Sequence, residues 1–508
     1  MNAATSPICL LVRLSATLAC GILASQTALS QASGSCSWTG SADSDWHTAA
    51  NWNCDQHDNV PGPDDAVTIA PASAVEVTFG DDAEIWSLEL GIDHGDSHTE
   101  AHQIKTTADD VVLTLSGGPL VVRQTGRFNL GQSKVSGGIG ARPALRATVT
   151  SSQPVLVHGR LFIGNTHIHN DVILDRPAIG GARGYVQARG WNNVHGAIHV
   201  IDGFLQPVVP GGHYGTPAPH LRIIDHDLIV EEVASVQLFA DPGGFSAPAI
   251  TVENGLLDQR GNVTTSAFSN ASSAPFVIDA VVVNQGMIRS RLSTPPGLAF
   301  RGPTGAVHQN SGQIEIGALL GSDTEDDAVE GFGLLVEDGR SLHNTGTVKI
   351  HRLRDAEGTV ANTDGGLITD ATEVAGSGSH ILGFAGPQAV EIEIGDAGTI
   401  ERLSMAWHGE DHPDAALNPD IAGTGHWWNL ASLTAGDDPA SGDLSLSLPR
   451  LNAGVPRVCR YTEAPPDWDC LATQVSSGYA TVAGLTELSQ WAVADLADLL
   501  FGDRFEQP

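Results

Sequence analysis

A chain of 508 residues with 58 glycines exceeds the size at which one compact core keeps growing, so it divides into domains or stacks as a quasi-linear array. Acidic residues number 59 against 25 basic, and the resulting formal net charge of −34 repels phosphate backbones and argues against a nucleic-acid partner. Hydrophobic content of 41% excludes a disordered polar tract, so a core can be buried.

Residues 1–32 carry no acid, a single Arg13 and an apolar run from Leu14 to Leu23. They resemble a secretory signal peptide, with candidate cleavage sites at Ala28 and Ser30 or at Ser30 and Ala32. The run is too short for a spanning helix, so no transmembrane segment is expected in the mature chain. Cleavage would remove Cys9 and Cys20 and leave two local pairs, Cys36 with Cys54 and Cys459 with Cys470. An even, locally grouped set in an exported chain reads as structural disulfides, whereas a metal site would need a tighter Cys-x-x-Cys spacing.

Residues 33–66 contain Trp38-Thr39-Gly40, Asp45-Trp46 and Asn51-Trp52, followed by Pro61-Gly62-Pro63-Asp64 and an apolar strand. In that order the segment resembles the opening of secreted bacterial parallel β-helix proteins, the passengers of autotransporters and adhesins. The resemblance implies that Trp38, Trp46 and Trp52 cover the open end of a solenoid; Cys54 departs from the commoner pattern, and its pairing with Cys36 would staple this cap. A terminal coil needs such cover because it would otherwise expose apolar side chains and unpaired backbone groups.

Residues 67–400 show short alternating apolar runs such as Val75-Glu76-Val77-Thr78-Phe79 and Val111-Val112-Leu113-Thr114-Leu115, divided by Gly, Asn, Asp and Pro. These are strand signals without a sustained helical period. A phrase recurs as Asn284-Gln285-Gly286-Met287-Ile288, Asn310-Ser311-Gly312-Gln313-Ile314, Asn344-Thr345-Gly346-Thr347-Val348 and Asn362-Thr363-Asp364-Gly365-Gly366. It predicts stacked short strands whose turns use the tolerance of Asn and Gly for left-handed backbone angles. Gly181 to Gly215 and Ser290 to Thr304, rich in Gly, Pro and polar residues, read as insertions.

Residues 401–495 change character, with Trp407, Trp427-Trp428, Leu444-Ser445-Leu446-Ser447-Leu448 and Ser489-Gln490-Trp491-Ala492. They resemble the C-terminal Ig-like β-sandwich modules of secreted bacterial proteins. Residues 496–508 form a tail whose Phe501-Gly502-Asp503-Arg504-Phe505-Glu506 resembles a terminal signature of some Gram-negative secreted proteins. The fold class expected is therefore all-β, a right-handed parallel β-helix (solenoid) followed by a small antiparallel β-sandwich.

Twenty histidines include His94, His98 and His102 in a polar stretch, His167 and His169 on a strand, and His195 with His199. A His-x-His on a strand puts both rings on one face, yet the sequence names no third ligand and shows no zincin helix. Asp323-Thr324-Glu325-Asp326-Asp327 lacks the Gly and Glu of an EF-hand loop and reads as solvated. No metal or cofactor site is assigned, and no nucleophile elbow or paired carboxylates identify catalytic residues. The reading is an adhesion or interaction module, secreted or on the outer cell surface, whose partner is an extracellular glycan or a cell-surface protein. The second reading is a polysaccharide lyase or glycoside hydrolase on the same scaffold, recognisable by carboxylates converging with aromatic residues in one groove.

Overall fold

Alternate residues of many short strands are buried, as in Val111–Leu115 and Gly184–Arg189, so one face of such a strand points into a core and the other outward. The computed structural model describes residues 32–93, 102–130, 146–178, 180–189, 191–209, 221–240, 249–267, 276–290, 298–316, 334–350, 358–384, 389–418, 421, 424–450, 455–476 and 478–496. The expected signal peptide up to residue 31, the terminal signature, His94, His98 and the Asp323 to Asp327 run lie outside them. The described residues are all-β, with two short 3-10 turns at Ala49–Asn51 and Ala415–Leu417. No helix among them is long and apolar enough to cross a membrane.

Parallel pairing dominates up to Leu367. The chain passes in turn through three ladders and returns to the first, each strand lying parallel to its counterpart in the preceding pass. In one pass these are Ala147–Ser151, Val155–Val157 and Arg160–Gly164; in the next, Thr166–His169, Val172–Leu174 and Gly184–Arg189. The first ladder runs from Ala83–Ile85 to Leu334–Val336, the second from Gly34–Trp38 to Thr359–Asn362, and the third from Val75–Phe79 to Leu367–Glu373. Residues 184–209, expected as an insertion, instead supply the ladder strands Gly184–Arg189, Asn192–Val194, Ile198–Val200 and Gly203–Val209. Their outward Gln, Asn, His and Arg mask a buried set of Val186, Ala188, Val194, Ile198, Val200 and Leu205. Likewise Leu298–Phe300 is a fully buried first-ladder strand.

The recurring Asn-x-Gly phrase has a different physical basis from the one expected. Asn284, Asn310, Asn344 and Asn362 end successive second-ladder strands and are buried in register. Nδ2 of each donates to Oδ1 of the next at 2.6, 2.6 and 2.7 Å, and Asn362 Nδ2 donates to the Trp407 carbonyl at 3.0 Å. The residues that follow do not adopt left-handed angles, except Asp364 (φ 53°) and Gly365 (φ 82°). The glycines are needed because the turns stack: a Cβ on Gly312 would lie 2.2 Å from the Gly286 carbonyl oxygen, and one on Gly346 2.2 Å from that of Gly312.

At the N-terminal end, Gly34–Trp38 pairs antiparallel with Trp52–Cys54 and parallel with Asp65–Ile69. Cys36 and Cys54 face each other across this pair and are disulfide-bonded. Trp38, Trp46 and Trp52 are buried edge to face, and Trp46 packs on Phe79 of the third ladder. At the other end the pairing changes sense within Leu367–Glu373, which is parallel to Thr347–Ile350 and antiparallel to Arg402–His408. One antiparallel sheet continues through Trp427–Leu433, Gln490–Leu496, Val455–Glu463 and Pro466–Cys470, and contains the Cys459–Cys470 disulfide. A second holds Gly378–Leu382, Val390–Asp396, Asp443–Pro449, Tyr479–Leu485 and Gln474–Ser476. Leu444, Leu446 and Leu448 of the second share one core with Met405, Trp407, Trp428 and Trp491 of the first.

Candidate functional site

Every third-ladder strand from His102–Thr106 to Met287–Ser290 lacks Asp and Glu. In a chain with 59 acidic residues this is a local inversion of the overall charge. The inversion has defined ends: Glu76 on the preceding strand pairs with Lys105, and Glu315 on the following strand pairs with Arg289 at 2.7 Å. Between them the parallel register builds two outward columns. One runs Gln103, Arg127, Arg160, Tyr185, Phe204, and the other runs Lys105, Asn129, Phe162, Gln187, Gln206.

The side chains along these columns touch. Arg127 lies 4.3 Å above the Phe162 ring, Phe162 meets Tyr185 edge-on with centroids 5.8 Å apart, and Tyr185 stacks on Phe204 at 5.6 Å. Gln187 Nε2 donates to Tyr185 Oη at 2.9 Å and to Gln206 Oε1 at 2.6 Å, while Gln206 Nε2 donates to Gln237 Oε1 at 3.2 Å. Burial raises the Tyr185 phenol above its ordinary pKa, against the opposing pull of Arg189, Gln187, Arg160 and Arg127. Three guanidiniums therefore act on one ring. Nε of Arg189 is itself buried and has no hydrogen-bond partner among the described residues, and Trp191, two residues on, is 46% exposed.

A cavity of about 530 Å3 opens on this face, lined by Arg160, Phe162, Arg183, Tyr185, Phe204 and the backbone around Gly181 and Ala182. Arg183 of this lining is ion-paired with Asp202 at 2.8 Å, which Arg176 also approaches at 3.1 Å. Hydrolysis of a glycosidic bond needs two carboxylates flanking the substrate, and the described lining residues include none. What the surface offers is planar rings, amide donors and acceptors, and fixed positive charge. A second cavity of about 490 Å3 lies where the pairing changes sense, with Lys349, Asp370 and Ser404 among its lining residues. The Asp370 carboxylate there accepts from the backbone amides of Ala371 at 2.7 Å and Gly383 at 2.9 Å, a structural role.

The residues singled out in the sequence fall elsewhere. The four cysteines form the two disulfides, which indicate an oxidising environment, and Trp38, Trp46 and Trp52 are buried near the first. His102 begins a third-ladder strand and is buried, which lowers its pKa, rather than standing in a polar loop. His199 lies on the second ladder, 3.0 Å from Glu231. The third residue beside His167 and His169, which the sequence could not name, is His195. The register sets His167 beside Asn193 and Ile168 beside Val194, which brings His195 against His169 from a strand 26 residues later. Their rings are stacked with centroids 4.5 Å apart at 5°, and His167 lies 6.5 Å from His169 and 6.2 Å from His195.

The third-ladder face was missed because its successive members are separated by 19 to 33 residues, and no local motif joins them. The one signal that could have found it is the absence of acid from the strand runs between Gln103 and Arg289. No family model matches the chain, and no curated protein or solved structure matches it.

Proposed function

We propose that the chain is a secreted or surface-displayed right-handed β-helix with a Trp-covered end and a C-terminal β-sandwich. Its third-ladder face binds an anionic glycan, one bearing uronate or sulfate groups. The observation that carries this reading is the array of Arg127, Arg160, Tyr185, Gln187, Phe204 and Gln206 on strands that themselves contain no Asp or Glu, in a protein of net charge −34. Sugar rings have apolar faces that sit on aromatic side chains, hydroxyls that pair with amides, and acidic substituents that pair with guanidinium forks. The pass-to-pass spacing of about 4.8 Å matches the scale of a sugar ring, so an extended chain meets several passes at once. The resemblance of residues 33–66 to adhesin-type β-helix proteins supports the same reading.

Isothermal titration of the mature chain with oligogalacturonate and with chondroitin sulfate fragments, against neutral dextran, tests it. The acidic oligosaccharides are expected to bind without release of reducing ends. Tyr185→Ala and Arg160→Glu are each expected to weaken binding about tenfold, the scale of losing one central contact of about 1.4 kcal/mol. Equal affinity for dextran, or wild-type affinity in both variants, would sink the assignment.

A further inference from the structure

We infer that His167, His169 and His195 form a binding site for one divalent late first-row transition-metal ion of the zinc, nickel or copper type. The site is independent of the glycan face, since it stands on the first ladder. A donor atom from each of the three residues lies within 4.8 Å of the other two. Tetrahedral coordination with metal–nitrogen bonds of 2.0–2.1 Å requires donors about 3.3 Å apart. Rotation of exposed His169 and half-exposed His167 and His195 about their side-chain torsions closes that gap without moving the strands.

Two structural features make these residues more than neighbours. His167 and His169 alternate with buried Ile168 on Thr166–His169, so both rings are pinned to the outward face of one strand. The backbone amide of His195 donates to the Ile168 carbonyl at 2.8 Å, which fixes its position opposite that pair. Asn193 Nδ2 stands 3.4 Å from His167 Nδ1. With its amide turned, Asn193 Oδ1 would accept a hydrogen bond from Nδ1–H while Nε2 binds the ion, the outer partner that ligating imidazoles require. The donors are all nitrogen, which selects against calcium and magnesium. Three protein ligands leave a position open to water or to a ligand from outside.

The cysteines near His57 offer no competing site, because Cys36 and Cys54 are joined to each other. The test uses the mature chain carrying no polyhistidine tag, stripped with chelator and titrated with zinc, nickel and, for its visible spectrum, cobalt. One equivalent is expected to bind saturably, and His169→Ala and His195→Asn should each weaken binding by about tenfold or more. Melting of the metal-free proteins should be unchanged in His169→Ala, whose ring is exposed. Calcium should give no heat. The inference is overturned if the wild type shows no saturable binding, or if stoichiometry and affinity survive in both variants, which would leave the three imidazoles as a packed stack only.

Discussion

His308 has no exposed surface, and burial beneath neighbouring passes pushes its pKa down to about 4 from an ordinary 6.5. Its Nδ1 accepts from the Val282 amide at 3.2 Å, and its ring lies 5.3 Å from Phe300. A folded-state pKa below the unfolded one means that the unfolded chain binds the proton first. Stability from this residue is therefore complete above pH 6.5 and drains away as the pH falls towards 4. At pH 4.5 the loss is roughly 2.5 kcal/mol. His308→Asn keeps an acceptor for Val282 but does not titrate. Denaturant unfolding at pH 7 and pH 4.5 should show a smaller acid penalty in the variant than in the wild type, by roughly that amount. An identical pH dependence in the two proteins would show that His308 is protonated in place without cost.

At the scale of the strand and turn, the Asn-x-Gly phrase makes stacked turns possible in two ways. The Nδ2 groups of Asn284, Asn310 and Asn344 each donate to the next amide in the stack, where an unpaired buried donor would cost about 1–3 kcal/mol. The glycines let each turn rest on the one before it. Gly312→Ala forces a methyl against the Gly286 carbonyl and is expected to destabilise by about 3 kcal/mol. Gly305 has φ 84° but open space around its absent Cβ, so Gly305→Ala should cost only about 1 kcal/mol, from backbone strain alone. Urea midpoints of the two variants separate close approach from left-handed geometry. Equal losses would mean that the turns at 286, 312 and 346 can move apart.

That phrase marks what the sequence made legible and what it hid. Its recurrence announced stacking, because an identical buried amide every pass is useful only when passes coincide. Its mechanism was hidden, because Asn and Gly are also turn residues and nothing local distinguishes a residue at φ > 0 from one pressed against a carbonyl. Alternation in Val111–Leu115 announced strands, whereas Gly184–Val209 was obscured by outward polar residues. The sense of pairing is likewise absent from alternation: Val390–Asp396 is antiparallel and reads like the parallel passes before it. Register was the missing quantity for both sites. His195 meets His169, and Phe204 meets Tyr185, only because the intervening turns have particular lengths that spacing does not reveal.

Over the whole molecule the charge is arranged in two opposing ways, and this gives the glycan reading a signature that simple attraction lacks. The net charge of −34 repels a polyanion at long range, while Arg127, Arg160 and Arg189 attract it at contact. At 0.01 M salt the screening length is about 30 Å, so an approaching oligosaccharide feels most of the protein and the repulsion counts in full. Near 0.15 M it falls to about 8 Å, and only the third-ladder face remains within reach. Affinity for an acidic oligosaccharide should therefore rise as salt is added from 0.01 M, pass through a maximum, and fall once the guanidinium contacts are themselves screened. Arg160→Glu should flatten the descending limb while leaving the rise intact, because the long-range field scarcely changes with one residue. Fluorescence titrations across that range read both limbs. A steady decline from the lowest salt would show that the face is not embedded in a repelling surround, and an affinity indifferent to salt would remove charge from the recognition altogether.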